Sequence, residues 1–126
     1  MSAFLSDLVV KLSDPAANDG TGQWELIEPL SYYSDKIAQT VTVPAGFSTD
    51  FASVPRKAII AYGIFGGRAI RPAVVHDFLC RQDIVPRKKA DLVFKEAMLV
   101  DGVPPAKALA MYDAVALYTS SGLWKG

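Results

Sequence analysis

The pattern of hydrophobic and polar positions divides the chain into a strand-rich first half and a helical second half. Apolar and β-branched residues alternate with polar ones over residues 23–33 and 37–43, which predicts two antiparallel strands joined by a tight turn at Asp35-Lys36. A short apolar run at residues 8–12 precedes them and is followed by a loop rich in Asp, Asn and Gly. The first half is therefore predicted to form a β-hairpin or small sheet.

Three helices are predicted in the second half, each beginning at prolines suited to a first helical turn: residues 72–82, 86–100 and 104–120. Gly102 is a good stop for the second helix. Apolar side chains cover most of the circumference of the third helix, so it is predicted to be buried in the core or covered by a partner. Strands followed by helices predict an α+β fold, with an N-terminal antiparallel β-hairpin or small sheet packed on about three C-terminal helices.

Composition and charge narrow the class of protein. The chain has 126 residues, of which 51% are hydrophobic and 21% charged, which predicts a single domain over residues 1–126 with its own core. Its 13 basic and 13 acidic residues give a net charge of zero, which argues against a nucleic-acid binder of the usual basic kind. One cysteine allows no intrachain disulfide. The uncharged stretch over residues 58–67 is too short to cross a membrane, and residues 1–12 do not resemble a signal peptide.

The most unusual segment is the loop over residues 44–56, which is dense in glycine, proline and hydroxyl residues. Gly46 can supply a positive φ, and Thr49, Asp50 and Ser53 can each bond to nearby backbone N–H groups. One interpretation is a structured loop in which Asp50 and Ser53 cap a short helical turn. The other places Asp50 in a cleft as a metal ligand or as an acid or base.

The only histidine, His76, begins a His-Asp pair on the first predicted helix. His76 and Cys80 are four residues apart and share a face, as do Asp77 and Arg81, whose pairing is typical of a helix surface. His76 is either a core histidine with satisfied ring nitrogens or a catalytic base. His76 and Cys80 supply only two of the three or four ligands that zinc needs. A metal site would have to be completed by Asp50, Asp77, Asp91 or Asp113, and no metal or cofactor is expected. Cys80 as a nucleophile would lack an evident oxyanion donor.

Two further acids complete a candidate polar cluster. Asp91 borders the apolar stripe of the second helix, and Asp113 lies on the third helix, which is predicted to be buried. Because a buried carboxylate needs a partner, we expect a polar cluster that holds the loop to the helices and is more structural than catalytic. Its expected members are Thr49, Asp50, Ser53, Arg56, His76, Asp77, Asp91 and Asp113.

Several motifs spread over about residues 40–118 together resemble a known family. They are Pro44, Gly46, Phe47, Thr49, Asp50, Ala52, Ser53, Pro55 and Arg56 in the loop, then His76, Asp77 and Leu79, then Ala90, Asp91, Phe94 and Met98, then Tyr112, Ala114 and Val115. This set is similar to the domain of unknown function 1353 family, short proteins found often in tailed bacteriophages and prophages. The chain departs from the family pattern at Cys80, where an aromatic residue is more usual. The resemblance implies a phage setting but no reaction.

Two functions follow as expectations. The first is a bacteriophage virion-associated or assembly protein, in the tail or tail tip, that acts through protein–protein contacts. It would be made in the host cytoplasm and incorporated in the virion, with other phage structural proteins or further copies of itself as partners, and without nucleic acid or membrane insertion. The alternative is a small hydrolase, metal-dependent or not, acting on the cell envelope, with His76 as base and Asp50, Asp77 or Asp91 holding a metal or water. The first function predicts that these side chains are buried or hydrogen-bonded to backbone, and the second that His76 and at least two carboxylates converge in an open pocket.

Overall fold

Two small antiparallel sheets precede three helices, which confirms the predicted α+β class. The computed structural model describes residues 1–17, 22–49 and 69–122. The strands are β1 (Ala3–Phe4), β2 (Val10–Asp14), β3 (Gln23–Leu26), β4 (Leu30–Ser34), β5 (Gln39–Val43) and β6 (Ser48–Thr49). The helices are α1 (Ile70–Arg81), α2 (Arg87–Val100) and α3 (Pro105–Ser121).

The hairpin is confirmed for β4 and β5, but the strand predicted over residues 23–33 is in fact two strands in different sheets. β4 pairs with β5 from Leu30 opposite Val43 onward, in a sheet of order β1-β4-β5. β3 belongs to the second sheet, of order β2-β3-β6. The extended segment is interrupted between β3 and β4 at Pro29, which has no N–H to donate to a β-ladder. Hydrophobic alternation indicated extended chain over both strands but did not separate them or assign their partners.

The core lies between the β4–β5 hairpin and the helices. Alternate residues of β4 and β5 face it, as the period of a strand requires. Among them Leu30, Tyr32 and Val43 are fully buried. The turn between the strands takes in residues 35–38, so β5 begins two residues later than predicted.

The three predicted helices are confirmed to within a few residues, and α2 lies in the middle of them. It packs on both α1 and α3 and also contacts β1 and β4. The chain leaves α2 at Gly102, which has a φ of 86°, and leaves α3 at Gly122, with a φ of 74°. No helix in the described ranges is both long enough and apolar enough to cross a membrane.

The third helix is not buried in the core on all sides, which was the first of the two outcomes predicted for it. Leu109 and Leu117 of α3 are 47% and 72% exposed, and Asp113 is exposed as well. Among the described elements α3 packs mainly on α2, so only one side of it is covered. Large apolar side chains of α3 therefore lie on its exposed side as well as on its covered side. The buried side chains of α3 are Ala108, Met111 and Val115.

Candidate functional site

Helix α1 carries the His-Asp pair into the interior. His76 is 0% and Asp77 is 1% exposed. Successive residues of an α-helix point about 100° apart, so two adjacent side chains are buried only where a helix is covered on more than one side. Residues 72–77 of α1 are all buried, and α1 packs against both α2 and β5.

A single carboxylate ties the three helices together. The Nε2 atom of His76 on α1 lies 2.7 Å from Oδ1 of Asp91 on α2, and both side chains are buried. The other oxygen of Asp91 accepts a 2.6 Å hydrogen bond from the Thr119 hydroxyl of α3. Nε of Arg87 donates to the same hydroxyl at 3.3 Å. These four residues form what we call the helix tie, which satisfies a buried carboxylate as burial requires.

The helix tie does not have the geometry of a cysteine-dependent catalytic triad. Sγ of Cys80 lies 3.7 Å from Nε2 of His76, the same ring nitrogen that faces Asp91. In a nucleophile–histidine–acid triad the nucleophile and the acid occupy opposite ring nitrogens. Burial raises the pKa of the Cys80 thiol to about 12, opposed by Arg87 and reinforced by Asp91 and Asp77. The thiol is therefore protonated near neutral pH and poorly suited to attack.

The second buried acid, Asp77, joins α1 to the second sheet. The Thr49 hydroxyl donates a hydrogen bond to Oδ2 of Asp77, and Nε of Arg81 lies 3.2 Å from Oδ1. Arg81 also donates to the backbone oxygen of Ser48 at 2.8 Å. The ion pair predicted from the four-residue spacing is thus formed, but the prediction of a surface pair is wrong for Asp77. The residues of β6 pack over that end of α1 and bury the carboxylate.

The position of Thr49 is fixed by backbone pairing. Gly46, with a φ of 89°, turns the chain after β5, as its sequence position suggested. Its N–H donates to the backbone oxygen of Leu26 at 2.8 Å. β6 then pairs antiparallel with β3, so that Thr49 lies opposite Trp24. These backbone contacts hold the short strand β6 in place, and the Thr49 hydroxyl then lies within hydrogen-bond distance of Asp77.

The structure brings together part of the predicted polar cluster. Thr49 bonds to Asp77 and His76 bonds to Asp91, in two neighbouring hydrogen-bonded groups on α1. The expected members Asp50, Ser53 and Arg56 lie outside the described residues.

Asp113 is not part of the cluster, contrary to expectation, because α3 turns that side to solvent. Within residues 1–17, 22–49 and 69–122, no group of three or more His, Cys, Asp or Glu side chains is arranged to hold a metal ion.

A second buried polar centre was missed at the sequence level. Oε1 of Glu96 on α2 accepts hydrogen bonds from the Tyr32 hydroxyl at 2.6 Å and from the Ser34 hydroxyl at 2.8 Å, and Oε2 accepts from the backbone N–H of Lys36 at 3.1 Å. Burial raises the pKa of Tyr32 well above its usual range, and the bond to Glu96 and its charge add to this effect. The signal was present in β4, where Tyr32 and Ser34 occupy core-facing positions and their buried hydroxyls require an acceptor.

The comparisons with known proteins identify the family. A family model described as "Protein of unknown function (DUF1353)" matches residues 24–115. The chain belongs to the DUF1353 family. The match runs from β3 into α3 and includes Thr49, His76, Asp77 and Asp91, so it confirms the resemblance of the motifs.

A bacterial protein is similar to part of the chain. The "Uncharacterized protein y4jT" of Sinorhizobium fredii is 38% identical over 78 residues, which are 60% of this chain and 23% of the relative. The DUF1353 chain therefore spans less than a quarter of the length of that protein. No solved structure matches the chain.

Proposed function

We propose that this DUF1353 protein is a bacteriophage virion-associated or assembly protein, a component of the tail or tail tip, that acts through protein–protein contacts. The observation that carries the proposal is the burial of His76 in the helix tie. The imidazole is 0% exposed, and its Nε2 atom is engaged by Asp91, which in turn accepts from Thr119. A histidine in this position stabilises the packing of three helices.

Exposed apolar side chains on the helices give the proposal further support. Leu109 and Leu117 of α3 and Leu99 of α2 project into solvent although each is large and apolar. Exposed apolar groups that lie close together are typical of surfaces that bind other proteins. The phage setting itself rests on the family resemblance of the loop and helix motifs.

The alternative, a small hydrolase acting on the cell envelope, receives less support from the geometry. A general base must come within hydrogen-bond reach of its substrate, either directly or through one water. His76 and Asp77 are both buried; His76 contacts Asp91 and Cys80, and Asp77 contacts Thr49 and Arg81. Asp50 lies outside the described residues.

The test uses particles from a bacterial strain that encodes this chain in a phage or prophage. Mass spectrometry of purified particles is expected to find the chain in the tail fraction, and deletion of its gene is expected to abolish tailed particles. Absence of the chain from the particles, together with normal particles after deletion, would contradict the proposal.

The His76→Gln variant separates an assembly role from catalysis. Glutamine keeps an N–H donor toward Asp91 but cannot act as a base. A folded His76→Gln variant is therefore expected to support particle formation and infection close to the wild-type level. If that variant folds and assembles but the particles cannot infect, the hydrolase is favoured instead.

A further inference from the structure

Two exposed helix faces carry leucines on either side of a charge. On α2, Lys95 lies between Leu92 and Leu99, and Leu99 is 44% exposed. On α3, Asp113 lies between the exposed Leu109 and Leu117. Residues spaced by three, four, seven or eight positions share one side of a helix, so each set forms a stripe. The helical face, as we call it, consists of Leu92, Lys95, Leu99, Leu109, Asp113 and Leu117.

The α2 stripe reaches the seam between α2 and α3 through Lys95. Nζ of Lys95 lies 5.4 Å from the centre of the Tyr112 ring, and Tyr112 directly precedes Asp113. The residues of the α2 stripe also line a groove of about 320 Å³, together with Lys36, Glu96 and Val100. The apolar surface of the α2 stripe therefore includes one wall of this groove.

The charges of the helical face are not neutralised within the described part of the chain. Neither Lys36 nor Lys95 forms an ion pair there, and nor does Asp113. Glu96 is the acid of the groove, and both of its carboxylate oxygens already accept hydrogen bonds from β4 and the turn that follows it. The α2 stripe thus presents a positive charge among leucines, and the α3 stripe presents a negative one.

We propose that the helical face binds a second copy of this chain. In a two-fold dimer, the α2 stripe of each copy lies against the α3 stripe of the other, so the contact between Lys95 and Asp113 occurs twice. The leucines of each stripe cover those of its partner, and the opposite charges at the two centres fix the register. This proposal rests on the proposed role in protein–protein contacts, and it names the partner.

The match in spacing favours a second copy over an unrelated partner. The leucines are seven residues apart on α2 and eight apart on α3. At 1.5 Å per helical residue these separations are about 11 Å and about 12 Å, so one stripe can align along the other. Because each copy carries both Lys95 and Asp113, each of these charges can pair with the opposite charge on a second copy.

The experiment measures the mass of the purified full chain in solution. Sedimentation equilibrium, across protein concentrations up to about 1 mM, is expected to show a monomer–dimer equilibrium for the wild type. Lys95→Glu and Asp113→Lys are each expected to raise the dissociation constant about tenfold or more, because each places like charges together twice. The double variant is expected to recover most of the loss. Lys107→Glu reverses an exposed charge elsewhere on α3 and serves as the matched control.

A second variant tests the apolar part of the face. Leu117→Ser removes a side chain that is 72% exposed, so it is expected to weaken the dimer while leaving thermal unfolding of the monomer almost unchanged. A wild type that stays monomeric overturns the proposal, as does a dimer insensitive to all of these changes. Weakening by both single charge reversals without recovery in the double variant also overturns it. A monomer whose peptides are nevertheless present in the particles would leave the assembly role standing and exclude the second copy.

Discussion

Tyr32 of β4 and Glu96 of α2 are joined by a 2.6 Å hydrogen bond across 64 positions of the sequence. The same carboxylate oxygen accepts from Ser34, and the other accepts from the backbone of Lys36. Glu96 thus connects the strand, the turn that follows it and the central helix. The first sheet is held against the helices by this acid as well as by apolar packing.

Replacing Glu96 is expected to destabilise the fold. Glu96→Ala leaves the buried hydroxyls of Tyr32 and Ser34 without their acceptor, which should lower the free energy of unfolding by about 2–4 kcal/mol. Glu96→Gln keeps an acceptor oxygen and should lose less. Urea denaturation measures both, with Glu25→Ala as the control, since Glu25 forms a partly exposed ion pair with Lys11 that is worth at most about 1 kcal/mol. Equal losses for Glu96→Ala and Glu25→Ala would show that the three bonds contribute little.

Stability is expected to fall at alkaline pH. The pKa of Cys80 is raised from 9.0 to about 12, and that of Tyr32 is raised from 10.0 to beyond the usual range. The native state therefore keeps protons that the unfolded state releases, so the stabilisation is complete below pH 9 and is lost as pH rises above 9 and then above 10. Each group contributes a slope of at most about 1.4 kcal/mol per pH unit.

The two contributions can be separated by substitution. Cys80→Ala should remove the part of the decline that begins near pH 9, and Tyr32→Phe should remove the part that begins near pH 10. Urea denaturation at a series of pH values from 7 upward gives both slopes. If stability does not change between pH 9 and 11 in the wild type, the two groups are not held in their neutral forms as described.

The sequence identified those parts of the fold that depend on local signals. Prolines at helix starts and Gly102 placed the helices, and alternation placed β4 and β5, because these signals act within a few residues. His76 and Asp91 were expected in one polar cluster, since a buried acid needs a partner. Thr119 was not expected, because its contact with Asp91 depends on which side of α3 faces α2.

The exposure of Asp113 shows that the composition of a helix does not predict which of its sides is buried. The helix that carries it contains few charges, yet only one side of α3 is covered by α2. The covered side carries Met111 and Val115, whereas Leu109 and Leu117, which are equally apolar, lie on the exposed side. The pattern of apolar and polar residues does not distinguish the covered side of α3 from its exposed side.

The Thr49 hydroxyl is expected to contribute to stability through Asp77. Thr49→Val keeps the branched shape and strand propensity but removes the donor to a buried carboxylate, so it should cost about 1–3 kcal/mol. Thr40→Val, at an exposed position of β5, is the matched control and should change stability by less than about 0.5 kcal/mol. Thermal or urea unfolding compares the two. Equal effects of the two substitutions would mean that the bond between β6 and α1 adds nothing to the fold.

The helix tie is expected to behave as one coupled unit. His76→Ala leaves Asp91 as a buried carboxylate that has lost a partner, so it should lower the free energy of unfolding by about 3–5 kcal/mol. Asp91→Asn should also destabilise, but the double variant should lose less than the two single losses together, by about 1–3 kcal/mol, because the second change removes the charge that the first left uncompensated. Urea denaturation of the wild type and the three variants measures this coupling. Strict additivity would mean that the imidazole and the carboxylate do not stabilise one another, and the structural role assigned to His76 would then lose its physical basis.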